Sequence, residues 1–172
     1  IIYMPTIPES IVAMLSCARL GLIHSVVFAG FSSNALRERI VDCNAKAIIT
    51  VDSFKRSGKI INSKDIVDDA IKIDCDFVDN VIVYENHSKL TNKKAKDVLW
   101  SEILPKDEKY VVPVSMNADE LLFILYTSGS TGKPKGIMHT SGGYLLNCMI
   151  TNKWVFDPVS YTHLRAHETR EY

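Results

Sequence analysis

Residues 126–136 read Tyr126-Thr127-Ser128-Gly129-Ser130-Thr131-Gly132-Lys133-Pro134-Lys135-Gly136, and they directly follow the apolar run Leu121-Leu122-Phe123-Ile124-Leu125. They concentrate glycine, hydroxyl and lysine residues in one short segment. Glycines allow backbone N–H groups to converge, hydroxyls add short hydrogen-bond donors, and lysines add positive charge. This mixture predicts a turn that binds phosphate groups, whereas a flexible linker would not need the apolar run before it.

The P-loop of nucleotide-binding proteins is the first alternative, because Gly132-Lys133 resembles its end. A match requires Gly at position 127 and Ser or Thr at position 134, but the chain has Thr127 and Pro134. Pro134 also disfavours a helix at this point. Because the apolar pair Ile137-Met138 follows, the sequence predicts a strand, a glycine-rich hairpin turn and a returning strand.

Upstream of the turn, short apolar segments alternate with amphipathic ones. Strands are predicted at 1–4, 23–28, 47–51 and 78–83. Helices are predicted between 6 and 21, from Ser32 or Ser33 through Val41, and at 65–73. Strands that are apolar on both faces and alternate with helices favour an α/β fold, with a mostly parallel sheet and helices on both faces.

Several local features of these elements are also predicted. Thr6 and Glu9 have the spacing of a capping box at the start of the first helix. The residues of that helix predicted to face the core are Ile11, Val12, Leu15 and Ala18. Those of the helix at 65–73 predicted to face solvent are Asp65, Asp68 and Asp69. Residues 84–97 predict a solvated, mobile connection, and a last helix is predicted at 140–151, with Tyr144, Leu145 and Met149 packed.

Two polar loops follow predicted strands, at 29–32 and 52–59. Ligands of open parallel sheets bind beyond the carboxyl ends of the strands, so both loops are candidate binding segments. The second loop contains Lys55, Arg56 and Lys59 beside Gly58. From the residues alone, it is consistent both with a solvated basic turn and with an anion site.

Composition argues against several classes of function. The chain has 172 residues, 47% of them hydrophobic, enough for one domain with a sizeable core. Its 20 basic and 20 acidic residues cancel, so no global field favours nucleic acid or an anionic membrane. No run approaches the roughly 18 apolar residues of a membrane span, and no signal peptide is recognised. The four cysteines lie far apart, which argues against a metal site and predicts a reducing, cytoplasmic location.

The residues around the turn resemble those of the adenylate-forming superfamily, which comprises acyl-CoA synthetases, luciferases and the adenylation domains of peptide synthetases. Leu122-Phe123-Ile124-Leu125 before the turn and His139-Thr140-Ser141-Gly142-Gly143-Tyr144 after it are similar to acetyl-CoA synthetases in particular. The resemblance implies part of the large N-terminal domain of that superfamily. It also implies ligation of acetate to coenzyme A through an acetyl-adenylate formed from ATP. The implied partners are the small molecules acetate, ATP and coenzyme A, with Mg²⁺ held by a ligand beyond Asp157.

The resemblance also implies roles for individual residues. The implied contacts to the phosphates of ATP are Thr127, Ser128, Gly129, Ser130, Thr131, Gly132 and Lys133. The implied contacts to coenzyme A are Gly30, Arg56, Ser57, Gly58 and Lys59. Acetyl-CoA synthetases have a pair of arginines three positions apart here, so Lys59 is a departure that offers a point charge in place of a planar fork. No catalytic or metal-ligating residue is assigned within the chain.

The chain is predicted to be part of a longer protein. It starts within a predicted strand, and acetyl-CoA synthetases are several times longer. We expect residues 1–157 to be a partial AMP-binding domain that is inactive alone. We expect residues 158–172 to be a non-native tail, because the resemblance stops at Asp157. Two other functions stay open: a propionyl- or other short-chain acyl-CoA synthetase, and a non-catalytic nucleotide-binding module.

Overall fold

The computed structural model describes residues 1–107, 110–127 and 133–158. The tail predicted at 158–172 therefore lies, apart from Pro158, outside the described residues. Short strands and helices alternate along the chain, as the apolar segments predict. In chain order the elements are β1 (Ile2–Tyr3), α1 (Pro8–Arg19), α2 (Ser33–Asp42), β2 (Ala47–Val51), β3 (Phe54–Arg56), β4 (Lys59–Ile61), α3 (Ser63–Ala70), β5 (Asn80–Tyr84), β6 (Asp97–Leu99), α4 (Trp100–Ile103), β7 (Leu121–Thr127), β8 (Lys135–Thr140) and α5 (Ser141–Thr151), followed by a π-helix at Asn152–Phe156.

Four of these strands form a parallel sheet in the order β1-β2-β5-β6. β2 pairs with β1 on one side and, along its full length, with β5 on the other. Ile48 and Thr50 lie on one face of β2, and Val51 lies on the other. All three residues are fully buried. A strand covered on both faces is typical of parallel sheets. The predicted parallel sheet is confirmed.

An extended segment at 24–27 continues this sheet toward β7. The Ile2 N–H donates to the Ser25 carbonyl (2.8 Å), and the Val27 N–H donates to the Ile2 carbonyl (2.9 Å). On the other side, His24 forms a parallel bridge to β7. The strand predicted at 23–28 is thus reduced to isolated bridges, because β1 is only two residues long and offers little to pair with.

β7 and β8 form an antiparallel hairpin beside this segment. The Ile124 N–H donates to the His24 carbonyl (2.9 Å), which ties the hairpin to the sheet. Because β7 runs parallel to the segment 24–27, and that segment runs parallel to β1, the end of β7 points to the same edge as the carboxyl ends of the other strands. The hairpin turn and the loops after the parallel strands therefore share one edge.

Helices lie on both faces of the sheet. α2 and α3 pack against each other, and α3 packs against β2. α2 connects the segment 24–27 to β2, and α3 leads from β2 to β5, so both move across the sheet toward β6. α1 connects β1 to the segment 24–27 and moves in the opposite direction. Since such crossovers are right-handed, α1 covers the face opposite α2 and α3. This agrees with the predicted two-sided cover.

The start of α1 differs from its prediction. The N-cap is Ile7 and Pro8 occupies the first helical turn, so Thr6 and Glu9 do not form a capping box. The Ser10 hydroxyl instead donates to the Ile7 carbonyl (2.6 Å). Pro8 can begin the helix without a capping side chain because its fixed φ suits the first helical position and it has no N–H to satisfy.

The face that α1 buries is also not the predicted one. Ser10 and Ala13 are buried, whereas the predicted core residues Ile11, Val12 and Leu15 are about half exposed or more. Small side chains let the helix approach the sheet closely, and the broad apolar stripe points away from it. The end of α1 is as predicted, with Gly21 in the left-handed region at φ 65°.

α2 begins as predicted at Ser32, whose hydroxyl accepts a hydrogen bond from the Ala35 N–H (3.4 Å). Leu36 and Ile40 are fully buried. Val41, predicted beside them, is exposed. The face of α2 that packs against the core is therefore narrower than the predicted set Leu36, Ile40 and Val41.

α3 carries a buried ion network where the sequence predicts an exposed acidic face. Asp68 is buried, and so is Lys64 one turn before it. The Lys64 ammonium contacts the carboxylates of Asp68 (2.5 Å) and of Asp97 on β6 (2.9 Å). Mutual attraction offsets the desolvation of these charges only because they are buried together. The predictions for Asp65 and Asp69 are confirmed, since both are exposed.

α5 matches its predicted range but not its predicted packing. Its N-cap is Thr140, whose hydroxyl accepts from the Gly143 N–H (3.3 Å). Tyr144, Leu145 and Met149 are all largely exposed. Tyr144 nonetheless contacts Phe123 edge-to-face, with 5.0 Å between the ring centres.

Within residues 1–107, 110–127 and 133–158, no helix is long and apolar enough to cross a membrane. The four cysteines are free thiols. Cys75 is buried, and Cys17, Cys43 and Cys148 are half-buried.

Candidate functional site

The hairpin β7–β8 carries the predicted phosphate-binding turn at its tip. Thr127, the last residue of β7, pairs with Lys135, the first residue of β8. The two strands thus pair up to the ends of the glycine-rich segment, which confirms the two predicted strands and their antiparallel pairing. Thr127 and Lys133 are exposed. The other predicted phosphate contacts lie outside the described residues: Ser128, Gly129, Ser130, Thr131 and Gly132.

Tyr126 anchors the base of this turn to α2. Its hydroxyl donates to Asp42 Oδ2 (2.6 Å). Burial and this hydrogen bond both raise the pKa of Tyr126, so the phenol stays protonated and remains a donor. The Arg39 guanidinium lies 5.5 Å from the centre of the Tyr126 ring. Sequence reasoning missed these contacts, because Tyr126 and Asp42 are 84 positions apart and no local pattern links them.

A cavity of about 370 Å³ lies beside Lys133 on the α2 side of the hairpin. Its charged lining consists of Arg37, Lys133, Glu38, Asp42 and Asp74. Three carboxylates oppose two cations, so the cavity does not favour a polyphosphate. A phosphate chain would have to be held by the turn itself.

The predicted coenzyme A contacts surround a two-residue hairpin. β3 and β4 pair antiparallel, with Arg56 directly opposite Lys59. Ser57 and Gly58 form the turn with φ values of 49° and 77°. Two successive residues in the left-handed region match the twist of a tight hairpin, and Gly58 adopts it without strain. Where the sequence predicts a loop at 52–59, the structure places two cations side by side at a hairpin end.

Gly30 lies against this hairpin. A Cβ atom at Gly30 would collide with Arg56 Nη1 and with the Phe28 ring. The Arg56 guanidinium also lies over the Phe28 ring, 4.9 Å from its centre. The structure therefore brings together Gly30 and Arg56, two of the predicted contacts, from loops that follow different strands. Phe28 was not predicted as part of this site, because no local sequence pattern links it to Arg56.

Tyr3 fixes the turn that carries Gly30. Its hydroxyl lies 2.9 Å from the Ala29 carbonyl and 2.7 Å from the Phe31 carbonyl. Burial raises the pKa of Tyr3 to about 12, which keeps the hydroxyl protonated, so that its one proton is shared between these two acceptors. Tyr3 lies within the short apolar strand β1, where its hydroxyl gave no sign of a specific role.

Asp52 organises the loop next to the β3–β4 hairpin. Its carboxylate accepts hydrogen bonds from the backbone N–H groups of Asn86 (2.6 Å), His87 (3.0 Å) and Ser88 (2.8 Å). The hydroxyls of Ser53 (2.8 Å) and Ser88 (2.9 Å) also donate to it. Burial alone would raise the pKa of Asp52, but hydrogen bonds from His87, Ser53 and Ser88 outweigh it and lower the pKa to about 2. The connection at 84–97 is solvated as predicted, and Asp52 anchors its first part.

These groups all lie at one edge of the sheet. The segment 24–27 leads to Gly30, β2 leads to Asp52 and the β3–β4 hairpin, and β7 leads to the glycine-rich turn. The carboxyl ends of parallel strands share an edge, and ligands of open α/β sheets bind there. Within the described residues, no group of three or more His, Cys, Asp or Glu side chains could hold a metal ion.

The fold and this edge define an α/β domain with a mostly parallel sheet, in which ligands bind beyond the carboxyl ends of the strands. A family model described as "AMP-binding enzyme" matches residues 1–166. The chain belongs to the AMP-binding enzyme family.

Several relatives carry the name acetyl-coenzyme A synthetase. That of Emericella nidulans is 50% identical over 157 residues, covering 91% of this chain and 23% of the relative. Acetyl-coenzyme A synthetase 2 of Saccharomyces cerevisiae is 49% identical over 158 residues, with coverage of 91% and 23%. That of Pasteurella multocida is 49% identical over 158 residues, with coverage of 91% and 24%. The chain thus spans about a quarter of the length of these relatives.

A solved structure supports the same fold. The acetoacetyl-CoA synthetase from Streptomyces lividans superimposes with a TM-score of 0.81 at 25% identity, covering 91% of this chain and 24% of that one. The predicted fold, part of the N-terminal domain of an adenylate-forming synthetase, is confirmed.

Proposed function

We propose that the chain is the part of an acetyl-CoA synthetase that holds the phosphates of ATP and the nucleotide end of coenzyme A. The observation that carries this proposal is the identity of about 50% to proteins of that name over 91% of the chain. In the complete protein, acetate attacks the α-phosphate of ATP to give acetyl-adenylate and pyrophosphate. The thiol of coenzyme A then displaces AMP to give acetyl-CoA.

The glycine-rich turn holds the β- and γ-phosphates in this proposal. Thr127 and Lys133 flank the turn, and the exposed Lys133 ammonium offsets the charge that grows on the departing pyrophosphate. Backbone N–H groups and hydroxyls of the turn complete the contacts, which are assigned to Ser128, Gly129, Ser130, Thr131 and Gly132. Such a turn contributes positioning and electrostatic stabilisation, without covalent chemistry. Mg²⁺, when bound through residues outside this stretch, supplies further neutralisation of the phosphates.

The β3–β4 hairpin binds the nucleotide end of coenzyme A in this proposal. Among the described residues, no carboxylate forms an ion pair with Arg56 or Lys59, so both charges are available to an anion. Arg56 has a planar fork that matches a phosphate, and Lys59 adds a point charge. Ser57, Gly58 and Gly30 present small side chains or none, which lets a ligand approach the backbone.

The test uses the full-length protein that contains this stretch. We expect acetate-dependent exchange of labelled pyrophosphate into ATP, and acetyl-CoA on addition of coenzyme A. Faster exchange with propionate or a longer acid would favour the sister enzyme. ATP binding without exchange for any short carboxylic acid would overturn the proposal and favour the non-catalytic module. The turn assignment fails if Thr131→Ala and Lys133→Ala leave the exchange rate unchanged.

A further inference from the structure

Arg39 on α2 is a buried arginine in an unusual setting. Its side chain is 8% exposed, and its Nη1 donates to the Ala35 carbonyl one turn earlier (2.5 Å). Among the described residues, no carboxylate forms an ion pair with it. Buried guanidinium groups are normally paired with an acid, because desolvation of the charge is costly. The Arg39 guanidinium instead lies over two aromatic rings, those of Phe31 and Tyr126.

The first of these rings leads to the proposed coenzyme A contacts. The Arg39 guanidinium lies 4.6 Å from the centre of the Phe31 ring. Phe31 contacts Phe28 edge-to-face at 5.7 Å, and Phe28 lies under Arg56. Phe31 also ends the turn that carries Gly30. A shift of its ring would therefore displace this turn and, through Phe28, the Arg56 side chain.

The second ring leads to the proposed phosphate turn. The Arg39 guanidinium lies 5.5 Å from the centre of the Tyr126 ring. Tyr126 directly precedes Thr127, and its hydroxyl donates to Asp42, the last residue of α2. Arg39 and Asp42 thus hold Tyr126 by its ring face and by its hydroxyl, at the base of the turn.

We propose that Arg39 is a positioning residue for both sites, because it contacts both the Phe31 ring and the Tyr126 ring. This inference rests on the proposed function, since it assumes that ATP and coenzyme A bind at these two places. A planar guanidinium can stack on two rings, whereas a lysine ammonium keeps the charge but not the plane. The role of Arg39 therefore depends on shape as well as on charge.

The experiment compares Arg39→Lys with wild-type full-length protein. The KM for ATP is measured by pyrophosphate exchange, and the KM for coenzyme A by thioester formation. We expect both KM values to rise about fivefold, the effect of losing a stacking contact of this kind at each site. The exchange kcat should change much less, because the groups proposed to contact the phosphates are all still present in this variant.

Arg19→Lys is the matched control. Arg19 also lies over an aromatic ring, 4.9 Å from the centre of Tyr110, and it donates to the Val111 carbonyl (2.7 Å). It is exposed at the end of α1, away from both proposed sites. We expect both KM values of this variant to equal those of wild type.

Two further variants test each side separately. Phe31→Leu should raise the KM for coenzyme A alone, and Tyr126→Leu should raise the KM for ATP alone. These two variants also test the inference if Arg39→Lys does not fold. Unchanged KM values in both Phe31→Leu and Tyr126→Leu would overturn it.

The outcomes separate this inference from the proposed function. A lower melting temperature for Arg39→Lys with both KM values unchanged would show a merely structural role and overturn the inference. A rise in only one KM would overturn it as well. If wild-type protein shows no exchange, the proposed function fails. The Arg39 inference is then tested with the dissociation constants of ATP and coenzyme A, measured by calorimetry in place of the KM values. Absence of binding of either ligand would then overturn both.

Discussion

At the scale of the residue, the two cations of the β3–β4 hairpin are not equivalent. The Phe28 ring lies under the Arg56 guanidinium, and Gly30 leaves the space that the guanidinium occupies. Among the described residues, no aromatic ring supports Lys59 in this way. A cation–π contact at an exposed position contributes about 0.5–1 kcal/mol and limits the orientations of the side chain. Arg56 is thus preorganised for an anion, whereas Lys59 offers a point charge that no aromatic ring in the described part of the chain orients.

Arg56→Ala should weaken coenzyme A binding and leave adenylate formation intact. A hydrogen bond to a charged group contributes roughly 1.5–3 kcal/mol, so we expect the KM for coenzyme A to rise at least about tenfold. Pyrophosphate exchange should stay near the wild-type rate. The matched control is Lys55→Ala, since Lys55 is the preceding residue of β3 and points to the other face of the strand. An equal effect of both variants would mean that general positive charge, and not the position of Arg56, attracts the ligand.

At the scale of the element, Asp52 joins a strand end to a loop that has no secondary structure of its own. Three consecutive backbone N–H groups, at 86–88, converge on its carboxylate. Such groups are satisfied by strand pairing or by water in most loops. Here the buried carboxylate of Asp52 accepts all three hydrogen bonds in place of a neighbouring strand or water. The conformation at the start of the connection between β5 and β6 therefore depends on the charge of Asp52.

The stability of this connection should therefore depend on pH. The pKa of Asp52 is about 2 in the folded state, against an ordinary value of 3.8, so its contribution is complete above about pH 4 and is lost as the pH falls toward 2. The difference corresponds to at most about 2 kcal/mol, because water screens part of the interaction. In the full-length protein, we expect Asp52→Asn to lower the melting temperature at pH 7 and to approach wild type as the pH falls through this window. Asp69→Asn, at an exposed ion pair on α3, should change the melting temperature little. A gap between wild type and Asp52→Asn that stays constant down to pH 3 would contradict this account.

Features that depend on neighbouring residues could be predicted from the sequence. β2 occupies the predicted residues, because a short β-branched run between polar segments has few alternatives. The Ser32 cap and the end of α1 near Gly21 follow from side-chain and backbone preferences within one helical turn. The β7–β8 hairpin follows from two apolar runs around a glycine-rich segment.

Features that depend on distant partners could not be predicted in this way. Asp68 was predicted to be exposed because α3 alone does not reveal Asp97 on β6. Gly30 and Arg56 were assigned by resemblance to a family, and their contact became apparent only in the structure. Arg39 and Tyr126 had no local signal, since each is one charged or aromatic residue within an ordinary helix or strand.

At the scale of the whole molecule, apolar side chains are unevenly distributed over the surface. α1 exposes Ile11 and Leu15 by 52% and 64%, and α5 exposes Leu145 by 68%. Single exposed apolar residues are common, but regular apolar stripes on two helices are typical of surfaces that another element covers. The chain spans 23% of the length of its relative from Emericella nidulans. We therefore predict that sequence outside this stretch covers the apolar face of α1 in the longer protein.

Leu15→Glu in the full-length protein tests this cover. A carboxylate placed in a covered apolar contact has no partner, and an unpaired buried charge costs about 3–5 kcal/mol, so we expect a strongly lowered melting temperature or loss of soluble protein. Ser16→Glu is the matched control, because it places the same charge one position along α1 and about 100° around the helix. Its effect should stay within about 0.5 kcal/mol, as for most surface substitutions. If both variants melt like wild type, the stripe on α1 is open to solvent in the longer protein, and its apolar pattern reflects neither the core of this domain nor a contact with the rest of the chain.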